Sequence, residues 1–163
     1  KSVIFCILLI KGRETERPLS TNLFMKIILI MGLPGSGKTT LASRLKSLLN
    51  AEWINADKVR SEANDWDFSA GGRVRQAERM RKKALHFKER KLNVIVDFIC
   101  PTNKTREIFN PDFIVWMDTI KKGRFDDTNK LFEKPNYYDV RVTEKNSEFW
   151  AAKIFEKLKD EKK

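Results

Sequence analysis

Residues 25–45, MKIILIMGLPGSGKTTLASRL, decide the fold. A β-branched apolar run from Lys26 to Met31 stops at Gly32, and Gly32-Leu-Pro-Gly-Ser-Gly-Lys38-Thr39 fits G-x-x-x-x-G-K-[ST] at every specified position. A strand-like run precedes the loop, and an amphipathic helical pattern through Leu41, Leu45, Leu48 and Leu49 follows it. That context separates a phosphate-binding loop from an ordinary glycine-rich turn. Successive backbone N–H groups can converge on phosphate oxygens at a helix N-terminus, where the dipole favours anions. Gly32, Pro34, Gly35, Ser36, Gly37, Lys38, Thr39 and Thr40 are therefore expected to cradle ATP. Lys38 is expected at the β- and γ-phosphates, and the Thr39 hydroxyl on Mg²⁺.

The 163-residue chain is sized for one α/β domain with a substantial core. A net charge of +11 calls for an anionic partner. Nucleotides would satisfy it and so would nucleic acid, with a solvated lysine-rich surface as the third reading; composition does not choose. Cys6 and Cys100 lie far apart, outside any metal-ligand spacing, and suit free thiols in a reducing cytoplasm. His86, between Leu85 and Phe87, reads as a helix-surface or packing residue. The apolar run Val3–Ile10 is too short to span a membrane, and no small-residue cleavage site follows it. Residues 1–24 are expected to be a dispensable extension, non-native or translated from upstream, with an extra edge strand as the alternative. Residues 25–163 then form the working domain, with no membrane association, as a monomer or homodimer.

Strand and helix patterns alternate along that domain. A short strand is expected at Glu52–Asp57, with Asp57-Lys-Val-Arg60 opening a helix. Positions 70–91 carry the longest helical period, through Val74, Ala77, Met80, Ala84 and Phe87. Nine Lys or Arg against two Glu fall between positions 73 and 91, leaving a strongly basic outer face. Asn93–Asp97 reads as a central parallel strand. Thr102 is placed to cap a helix over Asn103–Phe109, and Phe113–Met117 reads as a further strand. Residues 120–136 show no clean period and are expected to form a mobile lid. Tyr138–Val142 alternates as a last strand, and Asn146–Lys159 closes the domain as a helix. The pattern implies a three-layer α/β/α fold around a parallel sheet of about five strands, with 26–31 and 93–97 near its centre.

Acids fall at the predicted C-terminal ends of strands, where such sheets bind ligands: Asp57, Asp97 and Asp118. No guanine-reading Asn-Lys-x-Asp segment occurs. Lys121, Lys122, Arg124 and Lys130 could close over a triphosphate. Of these, Arg124 is counted with the ATP-binding residues, and Asp97 with Thr39 as a Mg²⁺ group.

Residues 26 to about 118 resemble adenylylsulfate kinase, which phosphorylates the 3′-hydroxyl of adenosine 5′-phosphosulfate. The resemblance lies in MGLPGSGKTTLA, in Asn-Ala-Asp57-Lys-Val-Arg60 against Asp-Gly-Asp-x-x-Arg, in Asn64, in Phe68-Ser69 with Arg73 against Phe-Ser-x-x-Asp-Arg, and in Ile99-Cys100-Pro101 against Ile-Ser-Pro. It implies an ATP- and Mg²⁺-dependent kinase in which Asp57 and Arg60 hold the acceptor and Phe68 stacks on its base. Asn64, Arg73, Cys100 and Pro101 then complete the acceptor site. Chemistry permits Asp57 to take the acceptor hydroxyl's proton and Arg60 to neutralise its anionic group, making Lys38, Asp57 and Arg60 the catalytic set. The chain departs from the pattern at Asn55, Ala56, Gly72, Gln76-Ala77-Glu78 and Cys100. Asp97 stands where the family commonly has no acid, and residues 121–139 replace a longer lid.

Two other readings stay open. Asp57-Lys-Val-Arg60 equally resembles the Asp-x-x-Arg acceptor motif of polynucleotide 5′-kinases, and kinases of modified bases in viral DNA are broadly similar. A basic helix flanked by Trp66 and Phe68 would suit a nucleic-acid strand. The chain could also be an ATP-binding module without transferase activity, which the changes at Gly72 and Glu78 allow.

Overall fold

The computed structural model describes residues 25–161, so the expectations for residues 1–24 lie outside it. In chain order the elements are β1 (Ile27–Gly32), α1 (Lys38–Leu49), β2 (Glu52–Asn55), α2 (Ala56–Ala63), α3 (Ala70–Glu89) and β3 (Val94–Asp97). They continue with α4 (Asn103–Phe109), β4 (Phe113–Met117), α5 (Asp126–Leu131), β5 (Val140–Val142) and α6 (Ser147–Asp160). The strands form one parallel sheet in the order β2-β3-β1-β4-β5. β1 occupies its centre, with Leu29 level with Val96 on one side and Ile114 on the other.

The two-residue strand period divides the core into two layers. Ile28 and Ile30 face Leu41, Leu45 and Leu49 of α1 and Trp150, Ile154 and Leu158 of α6. Ile27, Leu29 and Met31 face Ala77, Met80 and Ala84 of α3 and Phe109 of α4. A strand buried on both faces must be continuously apolar, which explains why β1 carries no polar side chain. Leu48, expected on the inward stripe of α1, is instead 46% exposed, because Leu41, Leu45 and Leu49 already fill the contact. No described helix is long and apolar enough to cross a membrane.

Local chemistry sets most boundaries. Thr102 accepts from the Thr105 amide while the Thr105 hydroxyl accepts from the Thr102 amide, a reciprocal cap that starts α4. The last strand is shorter than its sequence pattern, since Tyr138 and Asp139 precede β5. Residues 120–136, which show no clean period in the sequence, carry one further element. They contain α5, six residues long with Thr128 as its one buried member, too short to print a helical period.

This segment is anchored on both sides. Asn129 exchanges two hydrogen bonds with the Gly123 backbone, at 2.8 and 2.9 Å. Within α5, Thr128 Oγ1 accepts from Arg73 Nη2 at 3.3 Å, and Asp127 lies 3.6 Å from the same guanidinium. Beyond α5, buried Arg106 donates to the carbonyls of Cys100, Pro101 and Glu133. The Glu133 amide adds a bond to Pro101 O at 2.8 Å. One guanidinium thus joins the turn after β3 to the chain after α5.

Arg106→Met should therefore destabilise the domain by about 3 kcal/mol, since it leaves the carbonyls of Cys100 and Glu133 without their donor and Pro101 O with the Glu133 amide alone. Urea unfolding would measure this. A midpoint within experimental error of the parent would show that water replaces the guanidinium without cost.

Candidate functional site

The site begins where β1 ends. A Cβ on Gly32 would sit 2.7 Å from Met117 O and 2.9 Å from Met117 Cβ, so the loop can leave the sheet here only without a side chain. Gly37 then takes φ +97° as the N-cap of α1 and supplies no capping side chain. The first amides of this twelve-residue helix thus have no side-chain acceptor, the condition that favours an anion. Lys38 turns back over the loop and donates to Gly32 O at 3.0 Å and Leu33 O at 2.9 Å. Burial lowers its pKa to about 8, against the opposing pull of Asp97 and Asp57. Thr119 Oγ1 donates to Ser36 O at 2.7 Å and ties the loop to the end of β4.

Beside the loop, β2 and β3 end level with one another, with Asn55 opposite Asp97. Asp97 is buried; its Oδ1 accepts from Asn55 Nδ2 at 2.9 Å, and its Oδ2 has no well-aligned hydrogen-bond donor. Burial raises its pKa, while nearby Thr39, Asn55, Trp53 and Lys38 favour the carboxylate.

The opposite wall comes from α2, the loop after it and α3. Asp57 is exposed in the first turn of α2, and its carboxylate makes no hydrogen bond among the described residues. It acts electrostatically on both Lys38 and Arg60. Arg60 is buried; its Nη1 donates to the carbonyls of Asp65 and Asp67 at 3.0 and 3.1 Å. Its guanidinium lies 4.5 Å from the centre of the Phe68 ring. Arg73 lies 5.7 Å from the same ring and donates from Nε to Phe68 O at 2.9 Å. Phe68 is thereby held in place while half its surface stays open. Gly72 permits this packing, because a Cβ there would fall 2.2 Å from Asp67 O.

These walls enclose one cavity of about 600 Å³. Lys38, Thr39 and Asp97 line it together with Asp57, Arg60, Phe68 and Arg73. Pro34, Gly35, Cys100, Pro101 and Arg124 line it as well. Ser36, Gly37 and Thr40 instead border a hollow of about 90 Å³ on the far side of the loop, against residues 144–147 and Trp150. Gly32 lies beneath the loop and lines neither space. Asn64 also lines neither. It takes a left-handed conformation as the C-cap of α2, and its amide donates to Arg60 O and Ser61 O, a backbone duty that accounts for the residue type.

Cys100 is fully buried with φ +45°, and burial pushes its thiol up to about 12. It is a neutral wall residue rather than a nucleophile.

Sequence reasoning passed over several lining residues. Gln76 donates from Nε2 to Ala56 O at 3.1 Å and accepts from Arg79, joining α3 to the start of α2. A second polar residue, after Arg73, among the buried positions of α3 was its available signal. Phe125, Asp127 and Thr128 also line the cavity, but their segment shows no period that could have placed them.

The basic face of α3 is largely committed inside the chain. Arg75 and Arg79 pair with Asp65, Arg75 also with Asp67, Lys83 with Glu62 and Lys88 with Asp112. Arg81 donates to Asn110 O, and Arg73 points into the cavity wall.

Residues 25–120 match the family model described as adenylylsulphate kinase. No curated protein matches the chain. Among solved structures, the Mycobacterium tuberculosis APS kinase in complex with AMPPNP and APS is 21% identical, with a TM-score of 0.71 over 82% of this chain and 97% of that one. Shikimate kinase from Acinetobacter baumannii, in complex with shikimate, is 18% identical with a TM-score of 0.57 over 84% and 94%. A gluconokinase from Sinorhizobium meliloti is 13% identical with a TM-score of 0.60 over 84% and 93%. At these identities the likeness shows a shared P-loop kinase fold, carried by proteins named for different acceptors.

Proposed function

The chain belongs to the adenylylsulphate kinase family, and from that premise we propose that it transfers the γ-phosphoryl group of ATP to a hydroxyl of a small, anionic, nucleotide-like acceptor. The observation that carries this reading is the single cavity joining Lys38 and Thr39 to Asp57, Arg60 and Phe68. Phosphoryl transfer needs donor and acceptor held in line more than it needs covalent chemistry from the protein, and one shared cavity supports such a reading.

In this reading the loop amides and Lys38 hold the β- and γ-phosphates, with Arg124 supplying a second cation. The hollow beside Ser36, Gly37 and Thr40 receives the nucleoside end of ATP. Asp57 takes the proton of the acceptor hydroxyl as its oxygen bonds to the γ-phosphorus and the bond to the β-phosphate oxygen breaks, releasing ADP. Arg60 and Arg73 balance the acceptor's negative charge, and Phe68 offers its open face to a planar ring. Thr39 and Asp97 would hold Mg²⁺. They are oxygen donors of the kind a hard cation takes, and the buried Oδ2 of Asp97 has no aligned partner of its own. Once bound, the ion would offset the charge of the triphosphate.

The internal pairing of α3 favours a small acceptor over a polymer. Cations already bonded to Asp65, Asp67, Glu62 and Asp112 are poorly placed to release counterions from a nucleic acid.

Two variants separate the proposed roles. Lys38→Ala should weaken ATP binding whatever the acceptor. Asp57→Asn should bind ATP normally yet turn over roughly a hundredfold more slowly. Binding and turnover measured side by side test both, and unchanged turnover in Asp57→Asn would remove it as the base.

The Lys38 ammonium also predicts a pH profile. It is charged below about 8 and neutral above, so ATP affinity should hold at lower pH and fall by up to about tenfold per unit above it. Titration of ATP binding between pH 6.5 and 9.5 checks this. The Lys38→Ala profile should lack the fall above about 8, and a parent profile without that fall would contradict the assignment.

A further inference from the structure

The side chain of Asn55 makes two hydrogen bonds that run in opposite directions. Its Oδ1 accepts from the Lys58 amide at 3.1 Å and caps α2. Its Nδ2 donates to Asp97 Oδ1 at 2.9 Å, across the parallel pair in which the two residues are level. Reversing the amide would set oxygen against carboxylate and NH₂ against N–H, so the two contacts fix one orientation. A single side chain therefore joins the acid beside the phosphate loop to the helix that carries Asp57 and Arg60.

We infer that Asn55 is a positioning residue, holding Asp97 against the phosphate loop and fixing the start of α2 relative to it. The inference rests on the kinase reading of the cavity and adds to it a source of alignment between the nucleotide and acceptor walls. Capping alone does not require asparagine, because Asp and Ser cap helices about equally well. Neither can replace its donation to Asp97. Serine's hydroxyl is too short to serve both contacts, and aspartate would bring a second carboxylate to a place where the first already has no well-aligned donor for Oδ2. The site has room for one acid across this strand pair, and the amide keeps it on β3. The acid and the amide are nearly isosteric, so exchanging them between the strands would preserve both hydrogen bonds. The amide, moved to β3, would donate to the carboxylate, moved to β2, and that carboxylate would still accept from the Lys58 amide.

The exchange supplies the test. Melting temperatures of the ligand-free full chain would be measured for Asn55→Asp, Asp97→Asn and the double variant. Asn55→Asp should melt about 5 °C or more below the parent, and the added Asp97→Asn should recover most of that loss. A residue serving only as a cap would show neither effect, and an unshifted Asn55→Asp would overturn the inference whether or not the chain is a kinase. The second measurement is the affinity for a fluorescent ATP analogue with and without Mg²⁺. In Asn55→Ser, which keeps the cap, the Mg²⁺-dependent gain should shrink roughly tenfold while the Mg²⁺-free affinity stays unchanged. Retention of the full gain would also overturn the positioning role. A parent protein that bound no nucleotide would instead sink the kinase reading, leaving the melting cycle to judge the pair alone.

Discussion

The close approach of Gly32 to Met117 is the constraint on which the rest of this molecule depends. β1 and β4 run level there, and the chain must turn out of the sheet at that point into the phosphate loop. With Met117 O 2.7 Å from where a Cβ would lie, only glycine lets the strand end so close to its neighbour. That turn places Lys38 over its own loop and aims the N-terminus of α1 at the mouth of the sheet. β3 pairs on the other side of β1, so Asp97 ends beside the same opening. The site follows from one strand order and one missing side chain.

Sequence made the apolar scaffold and the loop legible because both obey short-range rules. The continuous apolar run of β1, the cap at Thr102 and the period of α3 each identify an element from its own residues. The phosphate-loop wall was readable for the same reason, since loop and helix are contiguous in sequence. The opposite wall of the cavity was readable only in part. Asp57, Arg60, Phe68 and Arg73 do line the cavity, whereas Asn64, drawn in by resemblance, serves α2 through its backbone. Asp127, Thr128 and the anchoring role of Arg106 were hidden because they depend on contacts between distant segments. Arg106 meets Glu133 across 27 positions, and Arg73 meets Thr128 across 55.

Charge was the feature of the sequence that left its partner most open. A formal excess of +11 and a helix dense in Lys and Arg suggest a surface built for a polyanion. In the fold, much of that helix faces acids supplied by the loop at 65–67 and by neighbouring elements. Ion pairs at such exposure add little stability, yet they orient the loop at 65–67. Asp65 and Asp67 receive Arg79 and Arg75, while their carbonyls receive Arg60. Basic residues here shape one wall of the cavity.

The central claim is that the cavity brings ATP and a small nucleotide-like hydroxyl acceptor together for phosphoryl transfer. The most direct measurement supplies the protein with Mg²⁺ and γ-labelled ATP and offers adenylylsulfate, mononucleosides, 5′-hydroxyl oligonucleotides and DNA with modified bases separately. Label should move to adenylylsulfate or a related small nucleotide, with little dependence on salt. Label appearing only on the polymer and vanishing steeply as salt rises, or bound ATP with no labelled acceptor of any kind, would contradict the account.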